Sequence, residues 1–302
     1  MVTDREPALN FSVYVLFLIN LGSKSNEMRN RIVYLALTAL VLNACNSADN
    51  SEQKEETPKT ASIKKETVTY EGDSTTMKGY IAYDENAEDT RPAVLIIPEW
   101  WGVTDYVRGR ADQLADLGYV AMVVDMYGNG QVADNPDDAG KLATPFYQDP
   151  AMMQRRFDAA LAKLKTNPKA DTSKIAAIGY CFGGNQVLNL ARLGENLDGV
   201  VSFHGNLLGV PAEKNKIKAD ILVCHGNADP FIKPMELEKF KRELDSVGAA
   251  YTFKGYDDAT HAFTNPDATE KGKKFNIPIA YNAAADSASW NEMKAFFGKI
   301  FR

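Results

Sequence analysis

The chain has 302 residues, 45% of them hydrophobic and 25% charged, which suits one large globular domain or two modest ones. A formal net charge of -6 leaves no basic face to neutralise phosphates, which excludes a general nucleic-acid binder. Three cysteines are too few and too odd for a disulfide framework, and three histidines (His204, His225, His261) without a Cys-x-x-Cys pair make no metal-ligand cluster. No metal and no organic cofactor is expected.

Two apolar runs near the N-terminus, residues 11–21 and 32–42, are each too short to span a bilayer as a helix. The second follows Met28-Arg29-Asn30-Arg31 and ends in Leu42-Asn43-Ala44-Cys45. A basic stretch, an apolar run and a small residue before a cysteine resemble a bacterial lipoprotein signal peptide. The resemblance implies translation from Met28, an upstream extension over residues 1–27 and a signal peptide over 28–44. Cys45 would be lipidated and become the mature N-terminus, tying the protein to the bacterial cell envelope by one leaflet or another. A poorly cleaved membrane anchor and a pair of buried helices are the alternatives. Residues 46–65, "NSADNSEQKEETPKTASIKK", hold almost no apolar side chains and read with Cys45 as a disordered tether.

The folded domain is expected over residues 66–302. "ETVTYEG" and "KGYIAYD" alternate apolar and polar side chains, as in an antiparallel hairpin. Short apolar runs follow: "AVLIIP", "YVAMVVD", "KIAAIGY", "GVVSFHG", "DILVCHG" and "AYTFKGY". Runs of this kind suit strands covered on both faces of a parallel sheet. Amphipathic segments at 105–117, 150–165, 234–247 and 281–299 predict helices between and after them. The order argues an α/β domain: a mostly parallel central sheet, helices on both faces and an N-terminal antiparallel hairpin. Its ligand site lies beyond the carboxyl ends of the strands.

Four strand ends carry the chemistry. In "IGYCFGGN", Cys181 has glycine at -2 and +2, between an apolar run and a helix starting near Gly183. Strand, tight turn and helix make the context of a nucleophile elbow. There the helix N-terminus favours a thiolate, and the Phe182 N–H can point at an oxyanion. In "ILVCHGNADP", Asp229 can orient a histidine, or merely stabilise its turn; Cys224 reads as packing and His225 as structural. In "AYTFKGYDDATHAFTNP", His261 completes the order nucleophile, acid, histidine, which is that of α/β-hydrolases, with His204 of "SFHG" as competitor for the base. In "LIIPEWWGVTDY", the Trp100 N–H is placed as second oxyanion donor and the Trp100–Trp101 pair can wall an apolar cleft. Glu99 falls beside the nucleophile, where an acid raises a thiol's pKa rather than lowering it.

These stretches resemble the dienelactone hydrolase family of α/β-hydrolases. The resemblance rests on "PEWWG" (98–102), "DMYGNG" (125–130), "GYCFGG" (179–184), "HGNADP" (225–230), "HAFTNP" (261–266) and "AYNAAADSASW" (280–290). It implies a Cys181–His261–Asp229 triad and an oxyanion hole from the Phe182 and Trp100 N–H groups. It also implies a substrate cleft including Trp101 and Tyr127, and a Glu99 that quietens the thiol until substrate displaces it. Family members that hydrolyse dienelactone grip its carboxylate with arginines. One follows the histidine closely, where this chain has Phe263, Thr264 and Asn265. The loop after "DMYGNG" offers Lys141 but no arginine before Arg155; Arg108 and Arg110 lie on the first helix, unmatched.

The expected activity is hydrolysis of a small-molecule ester or lactone by a monomer, through a thioester acyl-enzyme. A thioesterase or acyl transferase is the alternative within catalysis. A surface lipoprotein that binds a ligand on the hydrolase fold without turnover is the alternative outside it.

Overall fold

The structure, a computed structural model, describes residues 60–302. The expectations for Met28, residues 28–44, Cys45 and nearly all of the tether lie outside the described residues. Among the described residues, no helix is long and apolar enough to cross a membrane.

The first two strands are β1 (Ile63–Gly72) and β2 (Thr75–Asp84). They form a hairpin that turns on Asp73 and Ser74, both at positive φ (52° and 58°), as its two-residue loop requires. The strand begins at Ile63, which pairs with Asp84, so the tether reading ends three residues too late. Polar, lysine-rich residues on a half-exposed edge strand hid this start.

The chain then runs through β3 (Arg91–Ile97), α1 (Asp105–Asp116), β4 (Val120–Val123), α2 (Pro136–Gln148), α3 (Pro150–Leu164) and β5 (Ala170–Tyr180). It continues with α4 (Phe182–Leu193), β6 (Gly199–Phe203), β7 (Asp220–Gly226), α5 (Pro234–Val247), β8 (Tyr251–Tyr256), α6 (Ala268–Phe275) and α7 (Ala283–Ile300). Local chemistry starts the helices. Asn135, Asp149 and Asn282 each accept an N–H of the first turn of α2, α3 and α7. Prolines open α2, α3 and α5, where no intrahelical N–H is lost.

The eight strands form one sheet in the order β1-β2-β4-β3-β5-β6-β7-β8. Pairing is parallel from β4 to β8 and antiparallel from β1 to β4 through β2. Alternating side chains supply two cores. Leu95 and Ile97 face one with Phe146, Phe157 and Phe240 from α2, α3 and α5. Val94 and Ile96 face the other with Val107 of α1 and Phe297 of α7. Both faces are thus covered, as continuous apolar strands require. This is an α/β-hydrolase-type fold. The chain leaves β3 toward β4 on one side and returns to β5 on the other, which makes β3/β5 the topological switch point.

Two helices were not anticipated. α2 carries Gly140 and Pro145 inside an otherwise weak apolar pattern, and α6 is only eight residues long. Both matter, because each borders the switch point.

Candidate active site

Cys181 stands between β5 and α4 with φ 54° and ψ -110°, a conformation costing about 1–3 kcal/mol that its surroundings must hold in place. They do so by backbone contact. Gly183 N–H donates to the Pro98 carbonyl at 3.1 Å, and Asn185 N–H donates to the Cys181 carbonyl at 3.2 Å. A Cβ on Gly179 would strike the Gly183 carbonyl, and one on Gly183 would strike the Ile97 carbonyl. The glycines around the cysteine are therefore what lets strand and helix close on it.

The Cys181 sulfur is partly exposed and lies 3.0 Å from His261 Nε2. His261 Nδ1 lies 2.8 Å from Asp229 Oδ2. The other Asp229 oxygen, Oδ1, accepts the Phe231 N–H at 2.9 Å, so one carboxylate both braces its own turn and orients the ring. The three side chains come from the ends of β5, β7 and β8 and form a continuous hydrogen-bonded line. Burial opposes charge on His261, but the adjacent Cys181 sulfur and Asp229 outweigh it and push the ring up to about 10.

His204, the rival for the base, is elsewhere. Its Nδ1 accepts the Cys181 backbone N–H at 3.1 Å, and its Nε2 lies 2.7 Å from Thr264 Oγ1. Burial and its neighbours His261 and Arg110 lower its pKa well below the ordinary range, in keeping with a neutral ring. His225 is buried against Phe253, and Cys224 is core, its thiol pushed up to about 12 by burial.

A cavity of about 290 Å³ opens beside the sulfur. Glu99, Trp100, Trp101, Phe182 and His261 all line it. Phe182 opens α4, whose first N–H groups have no carbonyl partner within the helix. Tyr127 does not line the cavity. It is buried one layer behind, against Phe146 and Phe182, and its hydroxyl donates to the Trp100 carbonyl at 2.9 Å. The preceding Asp125 accepts four backbone N–H groups (Lys78, Tyr127, Gly128, Gly130), which turns the chain at β4 and puts Tyr127 there.

Glu99 is 2% exposed, and its Oε2 accepts from Asn265 Nδ2 at 2.7 Å. Burial raises its pKa, against the pull of Lys271, the Asn265 N–H and His261. Arg110 is buried with its guanidinium on the Thr264 carbonyl and Asp286, packed among Tyr106, Tyr180 and Trp290. Arg108, Lys141 and Arg155 pair with Asp105, Asp138 and Asp73. None of these four cations lines the cavity. Among the described residues, no group of three His, Cys, Asp or Glu side chains is placed to hold a metal ion.

Several lining residues escaped the sequence. Tyr147 lies on the unanticipated α2, Phe231 in the loop after β7, and Ile277 and Ile279 after α6. No motif and no periodicity marks residues such as these.

The dienelactone hydrolase family model matches residues 77–301, nearly all of the described domain. The chain belongs to the dienelactone hydrolase family. It is 33% identical over 205 residues to a putative carboxymethylenebutenolidase of Aquifex aeolicus, a match covering 66% of this chain and 86% of that one. It is 28% identical over 235 residues to protein usf of Aquifex pyrophilus, covering 76% and 96%. Among solved structures, a dienelactone hydrolase-like promiscuous phosphotriesterase from metagenomic libraries superposes with a TM-score of 0.74 at 35% identity, covering 80% of this chain and 99% of that one.

Proposed function

We propose that this dienelactone hydrolase-like protein hydrolyses a small-molecule carboxylic ester or lactone with Cys181 as nucleophile. The observation that carries the reading is the line Cys181 Sγ–His261–Asp229, with hydrogen-bonded separations of 3.0 and 2.8 Å, at the edge of a cavity. His261 takes the Cys181 proton, and Asp229 holds the imidazolium that results. The thiolate attacks the ester carbonyl, forming a C–S bond while the carbonyl electrons move to oxygen. The Phe182 and Trp100 N–H groups stabilise that oxyanion. Collapse breaks the C–O bond, and His261 returns its proton to the departing alkoxide. Water, deprotonated by His261, then cleaves the thioester and frees the acid and Cys181.

Glu99 is the regulator in this account. A buried acid on the cavity wall disfavours a second negative charge nearby until substrate enters, which limits oxidation of an idle thiol. Acyl transfer to an alcohol or thiol in place of water would use the same line of residues, and no specific contact favours it. Binding without turnover leaves the strained elbow and the Asp229–His261–Cys181 alignment without a purpose.

The wider assignment, a protein held at the bacterial envelope by lipid on Cys45, rests on the N-terminal sequence alone. Fatty-acid labelling lost in Cys45→Ala supports the anchor; labelling that persists contradicts it.

The deciding experiment is turnover of para-nitrophenyl esters and simple lactones by the purified protein and by Cys181→Ala. Activity in the first and none in the second is expected. Equal activity in both would remove Cys181 from the reaction.

A further inference from the structure

The geometry points to an uncharged substrate with a hydrocarbon body, an inference that rests on reading this cavity as an ester-hydrolase site. The walls are Trp100, Trp101, Phe231, Tyr147, Ile277 and Ile279, and no lysine or arginine lines them. The walls are stiff: Trp100 meets Trp101 edge-on at 5.1 Å, and Phe275 stacks on Trp101 from behind at 6.0 Å. Such a surface gains from apolar contact and offers a substrate carboxylate no lysine or arginine, only neutral donors such as Asn206 and Tyr147.

The mouth argues the same way. Five large apolar side chains are exposed among the described residues, and two of them, Tyr147 (50%) and Phe231 (48%), line this cavity. Neither is loose. Tyr147 packs edge-on against Phe182 at 5.6 Å, and Phe231 packs edge-on against His261 at 5.1 Å. Exposed, fixed aromatic rings lining a cavity suit a substrate that brings apolar surface of its own.

The titratable groups lining the cavity are Glu99, Tyr147, Cys181 and His261. His261 is the one that can be cationic, and its charge already faces Asp229 and the sulfur. Lys271, which acts on Glu99, lies over the Trp101 ring at 5.4 Å and 3.8 Å from Asp267, not in the wall. Asn265, where a cation could balance the acid, brings a neutral amide. A substrate carboxylate would therefore be desolvated beside Glu99 with no free cation to compensate it.

The test compares two esters of equal chain length, para-nitrophenyl hexanoate and mono-para-nitrophenyl adipate, which differ by a terminal carboxylate. We expect kcat/KM for hexanoate to exceed that for adipate by about a hundredfold at neutral pH. Tyr147→Arg, which puts a cation at the mouth, should narrow that ratio about tenfold or more. Adipate hydrolysed as well as hexanoate, or a ratio unmoved in a folded Tyr147→Arg protein, overturns the inference. A second measurement does not depend on turnover: the rates at which benzyl bromide and its para-carboxy analogue alkylate Cys181. Faster reaction with the neutral reagent supports the inference and equal rates overturn it, even if neither ester is cleaved and the hydrolase reading itself fails.

Discussion

Asn265 donates its side-chain N–H to Glu99 at 2.7 Å, so the one acid on the cavity wall is held by a neutral group. Burial raises the Glu99 pKa. The unfolded chain therefore releases this proton at lower pH than the folded one, and folding stability falls as pH rises above the ordinary carboxyl range. Glu99→Gln keeps an oxygen for Asn265 and removes the charge. Thermal unfolding of the variant and the wild type should be close near about pH 4 and diverge by about pH 8, with the variant the more stable. Loss of stability at the higher pH would mean that Glu99 is a favourable, compensated charge.

Glu99→Gln should also change the idle thiol. With the acid neutralised, iodoacetamide is expected to alkylate Cys181 faster, and hydrogen peroxide to inactivate the protein faster. Rates equal to the wild type would end the regulatory role given to Glu99.

His261 and His204 make opposite predictions although their rings are 5.4 Å apart. His261→Ala should lower kcat/KM by at least about a thousandfold, because the proton carrier is gone. His204→Ala should cost about 1–3 kcal/mol of stability, by removing a buried ring and its hydrogen bond with the Thr264 hydroxyl, and keep kcat/KM within about tenfold. The pair of kinetic results reversed would transfer the base role to His204.

The pH profile follows from His261. Burial opposes charge on the ring, but the Cys181 sulfur and Asp229 raise its pKa from 6.5 to about 10, so a proton taken from Cys181 stays on the ring while the thiolate stands beside it and is lost only in alkali. Protonation of the leaving alkoxide then fails on the alkaline side. The alkaline limb of kcat/KM against pH should fall through about pH 10. A limb centred near the unperturbed value of about 6.5 would show that Cys181 and Asp229 do not hold the imidazolium.

Gly183→Ala tests the elbow without touching a reacting atom. The added methyl would collide with the Ile97 backbone carbonyl, which no side-chain rotation relieves. A destabilisation of about 3 kcal/mol or more in urea unfolding is expected, with activity falling in parallel. Gly109→Ala, in α1 with nothing near the new methyl, should be neutral or mildly stabilising.

Much of this was readable in the residues. All eight strands announce themselves, β1 and β2 by alternation and the others by apolar runs such as "AVLIIP" and "KIAAIGY", and the order of strand ends places Cys181, Asp229 and His261 in one region. Chain order favoured His261 over His204, because His204 precedes Asp229, and the contact of His261 Nδ1 with Asp229 Oδ2 at 2.8 Å agrees with that choice. The cavity walls were the least legible part. Tyr147 and Phe231 reach the mouth only because α2 and the Asp229 turn fold over the switch point, and α2 is disguised by Gly140 and Pro145. Tyr127 misled in the other direction. Its motif pointed to the cleft, but Asp125 curls the chain so that the phenol reaches the Trp100 carbonyl from behind.

The most direct test of the nucleophile is chemical capture of the intermediate. A slowly hydrolysed ester should be mixed with the protein, quenched in acid within the first turnovers, and the peptides analysed by mass spectrometry. An acyl group is expected on the peptide containing Cys181, released by hydroxylamine and absent in Cys181→Ala. An acyl group on another residue, or steady turnover that is matched by Cys181→Ala with no acylated peptide, would contradict it.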